Sequence, residues 1–555
     1  MHAITVTVKG QEPMVVSAGT RVSELLPSVN EKGFPVLGAI VNNMVLSLFM
    51  PLITDATVAP LTITDEHGWN IYRTSLCFLL AKTAHELFPG LECRVRNSIG
   101  VGLYCTVAWP DLTPEKVGPN VKKLKEAMLA TVRQDQPITA ETVSYEAAVT
   151  LFRQTGQTDK LNLLAHRNPP IICLTRCGSF LELSQESLVS RTGVLELFDL
   201  IPHSRGFVLN VPAADRPREL QPLPPFEYLF KVYQEHIEWG KIVGVTTVGQ
   251  LNQAVIDKSA DDFIHTMEAL HDKKLARIAD KITQREHPVA RLVLVAGPSS
   301  AGKTTFAKRL VTHLRVNGCK PILISTDNYF VGDELNPRDA DGKLDYEHIE
   351  SMDLKRLNDD LSRLMRGESV RLRAFDFKRK QGYDQESSIQ LPPNGIIVME
   401  GIHCLNPQLT SDIPREGKFL IYVNALTQLG VDSSNRISTN DNRIIRRMVR
   451  DHQFRNRPAI DTLRMWKSVM RGERLWIYPY QHLADSVFNS ALDYELAVLK
   501  PFAAPLLNQI KPWDEEYIEA RRLSGFLHNF SSLSPDVVPG DSILREYIGG
   551  SQLAY

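Results

Sequence analysis

One nine-residue string, Gly-Pro-Ser-Ser-Ala-Gly-Lys-Thr-Thr at 297–305, constrains the fold of this chain more than any other. A β-branched run, Arg-Leu-Val-Leu-Val-Ala-Gly, leads into it, and Lys-Thr-Thr-Phe-Ala-Lys-Arg-Leu-Val-Thr-His-Leu follows with apolar residues at helical spacing. Strand, glycine-rich loop and helix, in that order, is the setting in which Gly-x-x-x-x-Gly-Lys-Thr cradles phosphate. The loop amides and the helix N-terminus have no intrahelical partners, so they converge on anionic oxygens, and the helix dipole adds to the attraction. Gly297, Ser299, Ser300, Ala301, Gly302, Lys303, Thr304 and Thr305 are therefore expected to bind the phosphates of a nucleoside triphosphate. Lys303 is expected to reach the terminal phosphates and the Thr304 hydroxyl to ligate Mg²⁺.

A phosphate loop serves switches, motors and transferases alike, and the residues after it discriminate. The Asn-Lys-x-Asp base-reading string of a GTPase is absent, and Asp-Ala-Asp-Gly at 339–342 has no strand before it and reads as a turn. Pro-Ile-Leu-Ile-Ser-Thr-Asp-Asn-Tyr-Phe at 321–330 is an apolar strand with Asp327 at its carboxyl end, and Ile-Ile-Val-Met-Glu places Glu400 at the end of a second, before Gly401. Ligands of open parallel sheets sit beyond those ends, so both carboxylates should face the loop. Asp327 suits a base for a hydroxyl proton, and Glu400 suits Mg²⁺ or its waters. Arg443, Arg446, Arg447 and Arg450 then fall at i, i+3, i+4 and i+7 on one helix face, opposite Ile444, Ile445, Met448 and Val449. Like charges at that spacing repel unless they meet an anion.

At 555 residues the chain is too long for one core. Its 63 Lys and Arg balance 64 Asp and Glu, so no overall field draws it to RNA or anionic lipid. Seven scattered cysteines lack the spacing of a disulfide framework and suit a cytoplasmic setting, and Cys173 and Cys177 read as buried thiols rather than a zinc pair. Residues 33–54 carry no charge and have the length of a membrane span, but Asn42-Asn43 at the centre, with Pro35 and Pro51 outside, reads as a hairpin turn.

Two regions carry a resemblance. Residues 1–64, with Thr-Val-Thr-Val-Lys, the short helix Val-Ser-Glu-Leu-Leu, the hairpin and Ala-Pro-Leu-Thr-Ile, resemble the TGS domain, a β-grasp module of threonyl-tRNA synthetases. Residues 65–215 resemble the second domain of those synthetases, through Ile-Tyr-Arg-Thr-Ser-Leu-Cys-Phe-Leu-Leu and Cys-Gly-Ser-Phe-Leu-Glu-Leu-Ser-Gln-Glu-Ser-Leu. The four editing positions are Thr74, Phe78, Ser184 and Leu188, so no editing chemistry carries over. Residues 216–289 read as a helical connector and 501–555 as a helical extension.

Residues 290–500 resemble the uridine/cytidine kinase and phosphoribulokinase family, through Gly-Pro-Ser-Ser-Ala-Gly-Lys-Thr-Thr, Ser-Thr-Asp-Asn-Tyr-Phe, Ala-Phe-Asp-Phe, Met-Glu-Gly, Arg-Ile-Ile-Arg-Arg-Met-Val-Arg-Asp and Leu-Ala-Asp-Ser-Val-Phe. The resemblance implies ATP and Mg²⁺ as cofactors, Asp327 as the base, and an acceptor pocket lined by Tyr329, Asp345, Phe375, Phe377 and Lys380. It also implies a lid of Arg446, Arg447 and Arg450 that closes over the phosphates. Phe375 and Lys380 stand where uridine kinases carry a base-reading tyrosine and histidine, which puts uridine itself in question. The expectation is a multidomain α/β protein that acts as a homo-oligomeric nucleoside kinase, with a phosphorylated-sugar kinase or an RNA-binding nucleotide sensor as alternatives.

Overall fold

The computed structural model describes residues 2–110, 113–285, 290–339, 342–376 and 379–554. The N-terminal β-grasp unit is a five-stranded sheet in the order Met14–Ser17, Ala3–Val8, Ala56–Thr62, Val36–Val41, Met44–Leu46. Asn42 and Asn43 both take positive φ, 47° and 55°, the geometry of a two-residue hairpin turn. The uncharged stretch is therefore a hairpin, and no helix among the described residues is long and apolar enough to cross a membrane.

Helix Glu66–Leu87 packs this unit against a four-stranded antiparallel sheet built from Cys93–Ile99, Gly102–Val107, Gly206–Asn210 and Asp199–His203. A separate three-stranded sheet, Thr139–Ser144, Ile171–Cys177 and Phe180–Leu183, is shared between two cores. Cys177 and Phe180 join the N-terminal core, whereas Ile172, Leu174, Leu181 and Leu183 pack with the connector and the C-terminal half. The second domain is thus divided between two hydrophobic cores. Cys173 is exposed on its strand and only Cys177 is buried, so the two thiols do not form a site.

Connector helices Glu227–Val243, Val248–Ile256 and Ala260–Thr283 lead to the C-terminal sheet. That sheet is wholly parallel, in the order Lys320–Ser325, Gly395–Glu400, Leu292–Ala296, Lys418–Asn424, Ser486–Asn489. Its central strand Leu292–Ala296 is buried throughout, as a two-sided parallel sheet demands of a Val/Leu run. Helix Glu495–Leu507 runs across the expected boundary at residue 500 and belongs to the same core.

The halves meet through residues 427–436, just before the arginine helix Thr439–Arg455. Ser433 bonds Val95 N through its carbonyl at 3.0 Å, Asp159 Oδ2 through its amide at 2.9 Å, and Glu92 through its hydroxyl at 2.8 Å. Arg436 donates to Ser98 Oγ at 2.7 Å. Lys160, 2 % exposed, is ion-paired with Asp432 at 2.8 Å and with Glu182, and Asp159 lies 3.5 Å away. Burial and the neighbouring Asp432 push the Glu182 carboxyl up to about 7, against the pull of Lys160.

Candidate active site

The loop leaves the central strand at Gly297, where a Cβ would lie 1.9 Å from the Val423 carbonyl oxygen, so only glycine lets the chain pass its neighbour. Ser300 and Gly302 both take positive φ, 58° and 80°, the backbone geometry from which an anion nest is built, at the start of helix Lys303–Val316; the Ala301 amide donates to the Pro298 carbonyl at 3.3 Å and the Ser299 amide to Glu473 at 3.0 Å. Lys303 donates to the Pro298 carbonyl at 2.9 Å, folding back over the loop it follows.

Two carboxylates stand beside this nest. In the strand register Ser325 pairs with Glu400 and Val295 with Glu400, which brings three carboxyl-terminal strand ends together at the loop. The Ser325 hydroxyl donates to Glu400 at 2.8 Å and accepts from the Asp327 amide at 3.4 Å, so one side chain ties both acids. Gly401 permits this closeness, since a Cβ there would meet Thr326 Oγ1 at 1.8 Å. Burial, with the adjacent Asp327 charge, pushes Glu400 up to about 7, and Lys303 opposes the shift. Asp327 opens to solvent but is crowded by protein, which raises its carboxyl against the pull of Lys303, Arg455 and Arg450.

The arginine helix does not present one uniform face to an anion. Arg443 and Arg446 are fully buried. Arg443 pairs with Glu473 at 2.5 and 2.7 Å and donates to the Ser299 carbonyl at 3.1 Å. Arg446 pairs with Glu495 at 2.5 Å, donates to the Ser490 carbonyl at 2.8 Å and reaches the Ser300 carbonyl at 3.4 Å. Both guanidiniums hold the loop from its carbonyl side. The expectation that Arg446 swings in a lid is corrected on this ground: moving it would strand Glu495 in the interior. Arg447 donates to the Ser299 hydroxyl at 2.8 Å, and Arg450 is partly exposed. Arg447, Arg450, Arg455 and Arg457 all pair with one buried carboxylate, Asp451, which leaves positive charge in excess beside Asp327.

The expected acceptor residues are dispersed in role. Tyr329, 1 % exposed, turns into the core and donates its hydroxyl to Asp360 at 3.0 Å, so it does not line an open pocket. Asp345 is buried and caps its own turn, accepting from the Glu347 amide at 3.1 Å. Phe375 stacks near Phe330, with centroids 5.9 Å apart, at the end of strand Ser369–Asp376. Lys380 is engaged by Asp333 rather than left open for a ligand. Phe377 lies outside the described residues, as does part of the 339–342 turn. In the N-terminal half, Phe78 meets Phe180 edge to face and Leu188 is buried, so these two editing positions are built into packing, whereas Thr74 bonds Glu186 at 3.1 Å at the surface and Ser184 is exposed.

Several site residues carried no sequence signal. Glu473 and Glu495 neutralise Arg443 and Arg446 from 30 and 49 residues away, and only the need of buried guanidiniums for counter-ions implies that such partners exist. Glu347, which burial and Glu473 push up to about 7, stands near Lys303 and Arg447. Among the described residues no three His, Cys, Asp or Glu gather as a metal cage.

A model of the Phosphoribulokinase / Uridine kinase family matches residues 292–497. The uridine kinase of Ureaplasma parvum serovar 3 is 26% identical over 180 residues, 32% of this chain and 77% of that protein. The threonine–tRNA ligase of Acidithiobacillus ferrooxidans is 31% identical over 163 residues, 29% of this chain and 24% of the ligase, so the chain spans about a quarter of that relative. A solved structure described as a possible uridine kinase from Bacillus stearothermophilus aligns at 18% identity and a TM-score of 0.28, over 39% of this chain and 98% of that one. The chain is a composite: its residues 292–497 match the model of the phosphoribulokinase and uridine kinase family, and another part is similar to threonine–tRNA ligases.

Proposed function

We propose that this protein transfers the γ-phosphoryl group of ATP to the primary hydroxyl of a nucleoside. The observation that carries the reading is the meeting of the loop nest, Lys303, Asp327 and Glu400 at the carboxyl end of one parallel sheet. Loop amides and Lys303 hold the phosphates, and Asp327 orients the acceptor hydroxyl and takes its proton. Arg447 and Arg450 offset charge on the phosphoryl group, while Arg443 and Arg446 keep the loop in shape. Thr304 and Glu400 would help to hold Mg²⁺, which when bound would supply neutralisation of phosphate charge. Phe330 and Phe375 offer an apolar surface for the acceptor's planar base.

The four arginines around Asp451 favour a second reading, an acceptor that itself carries a phosphate. One experiment separates the two. The protein is incubated with ATP, Mg²⁺ and, singly, a panel of nucleosides and sugar monophosphates, and products are resolved by chromatography. A nucleoside monophosphate supports the first reading and a sugar bisphosphate the second. ADP release that no acceptor stimulates overturns both.

A further inference from the structure

The family match ends at residue 497, yet the chain returns to the loop about fifty residues later. The last turn, Arg545–Ile548, lies against the start of helix Lys303–Val316. Glu546 Oε2 accepts from the Thr305 hydroxyl at 2.7 Å and from the Thr305 amide at 3.3 Å. Tyr547 donates its hydroxyl to the Ser300 carbonyl at 3.0 Å, and its ring lies 5.1 Å from the Arg446 guanidinium. Ile543 packs so closely on Gly302 that a Cβ there would meet it at 2.5 Å. Ile543, Leu544 and Tyr547 are fully buried, so this is a built contact and not a draped tail.

The Thr305 amide is one of the first-turn N–H groups that have no intrahelical acceptor, the donors a bound phosphate uses. Glu546 has put an anion there. A triphosphate arriving at the nest meets a carboxylate already holding one of its donors, together with like-charge repulsion at short range.

We propose that Glu546 is an internal competitor for nucleotide phosphate, and that the C-terminal segment withdraws from Thr305 when the triphosphate seats. The inference rests on the nucleotide reading above.

The test uses the full chain without acceptor. Binding of Mg·ATP to wild type and to Glu546→Gln is measured by calorimetry, and hydrogen exchange of residues 540–554 is followed in wild type with and without nucleotide. The glutamine keeps the shape and removes the charge. The expected result is a Kd about tenfold lower in Glu546→Gln, the worth of one charge-assisted hydrogen bond, with faster exchange of 540–554 when ATP is bound. A Kd equal to or weaker than wild type, or slower exchange of the segment on binding, overturns the inference and makes the segment a fixed wall of the site. Absence of ATP binding by either protein removes the nucleotide reading and the inference with it, an outcome distinct from equal binding by both.

Discussion

Arg446 and Arg450 sit four residues apart on one helix, and the structure gives them opposite duties. Replacing Arg446 by methionine leaves Glu495 buried without its counter-ion and removes the donors to Ser490 and Ser300. Breaking a buried ion pair from one side costs about 3–5 kcal/mol. Glu495 keeps its bonds from Asn442 at 2.7 Å and from the Leu492 amide at 3.1 Å, which places the loss near the lower end, about 3 kcal/mol. That is a large part of a total stability of about 5–15 kcal/mol. Arg450→Met removes a partly exposed partner from Asp451, which retains three other arginines, so the cost stays below about 1 kcal/mol. Urea unfolding followed by circular dichroism measures both, and the double variant Arg446→Met/Glu495→Gln should recover part of the loss. ATP-dependent turnover of Arg450→Met should fall while its fold persists. An Arg446→Met protein as stable as wild type within about 1 kcal/mol, but inactive, would refute the frame role and return Arg446 to the lid.

Asp327→Asn should leave ATP affinity nearly unchanged in calorimetry and lower turnover by about 10²–10⁴-fold, and retained turnover removes Asp327 from the base role. Glu400 has a folded value near 7, above the ordinary carboxyl range, so the folded state binds more protons than the unfolded one and this group's contribution to stability declines as pH rises from about 4.5 to 7. Glu400→Gln should accordingly lose less urea resistance than wild type between pH 5 and pH 8, and an equal loss in both proteins contradicts the assignment. Gly401→Ala should displace Thr326 and, with it, Asp327, costing about 1–3 kcal/mol in unfolding assays and most of the activity, whereas a silent substitution would mean that the contact yields freely.

What could be read from sequence follows the range of the interactions. The loop, both strand-end acids and the Asn42-Asn43 turn are set by neighbours within a few residues, so periodicity and spacing expose them. The four-arginine face was legible as a stripe, but its meaning was not. Whether a guanidinium meets ligand or carboxylate depends on Glu473, Glu495 and Asp451, two of which arrive from other elements. The family resemblance implies that Tyr329 lines the acceptor pocket, yet the short turn Thr326–Tyr329 rotates it into the core toward Asp360. Glu546 had no local pattern at all, and only the packing of Ile543 and Tyr547 brings it to Thr305.

The Lys160 cluster bears on how this chain is free to change. One ammonium on the N-terminal side is shared among Asp159 and Glu182 of its own half and Asp432 of the other. Replacing Lys160 alone leaves Glu182 and Asp432 in the interior without their cation, and replacing Asp432 alone leaves the ammonium to its own half. Substitutions at these four positions are therefore coupled across the two halves, and a graft that exchanges one half for a relative's must bring its matching charges. A module that resembles part of a tRNA ligase is held here by charges matched to this partner.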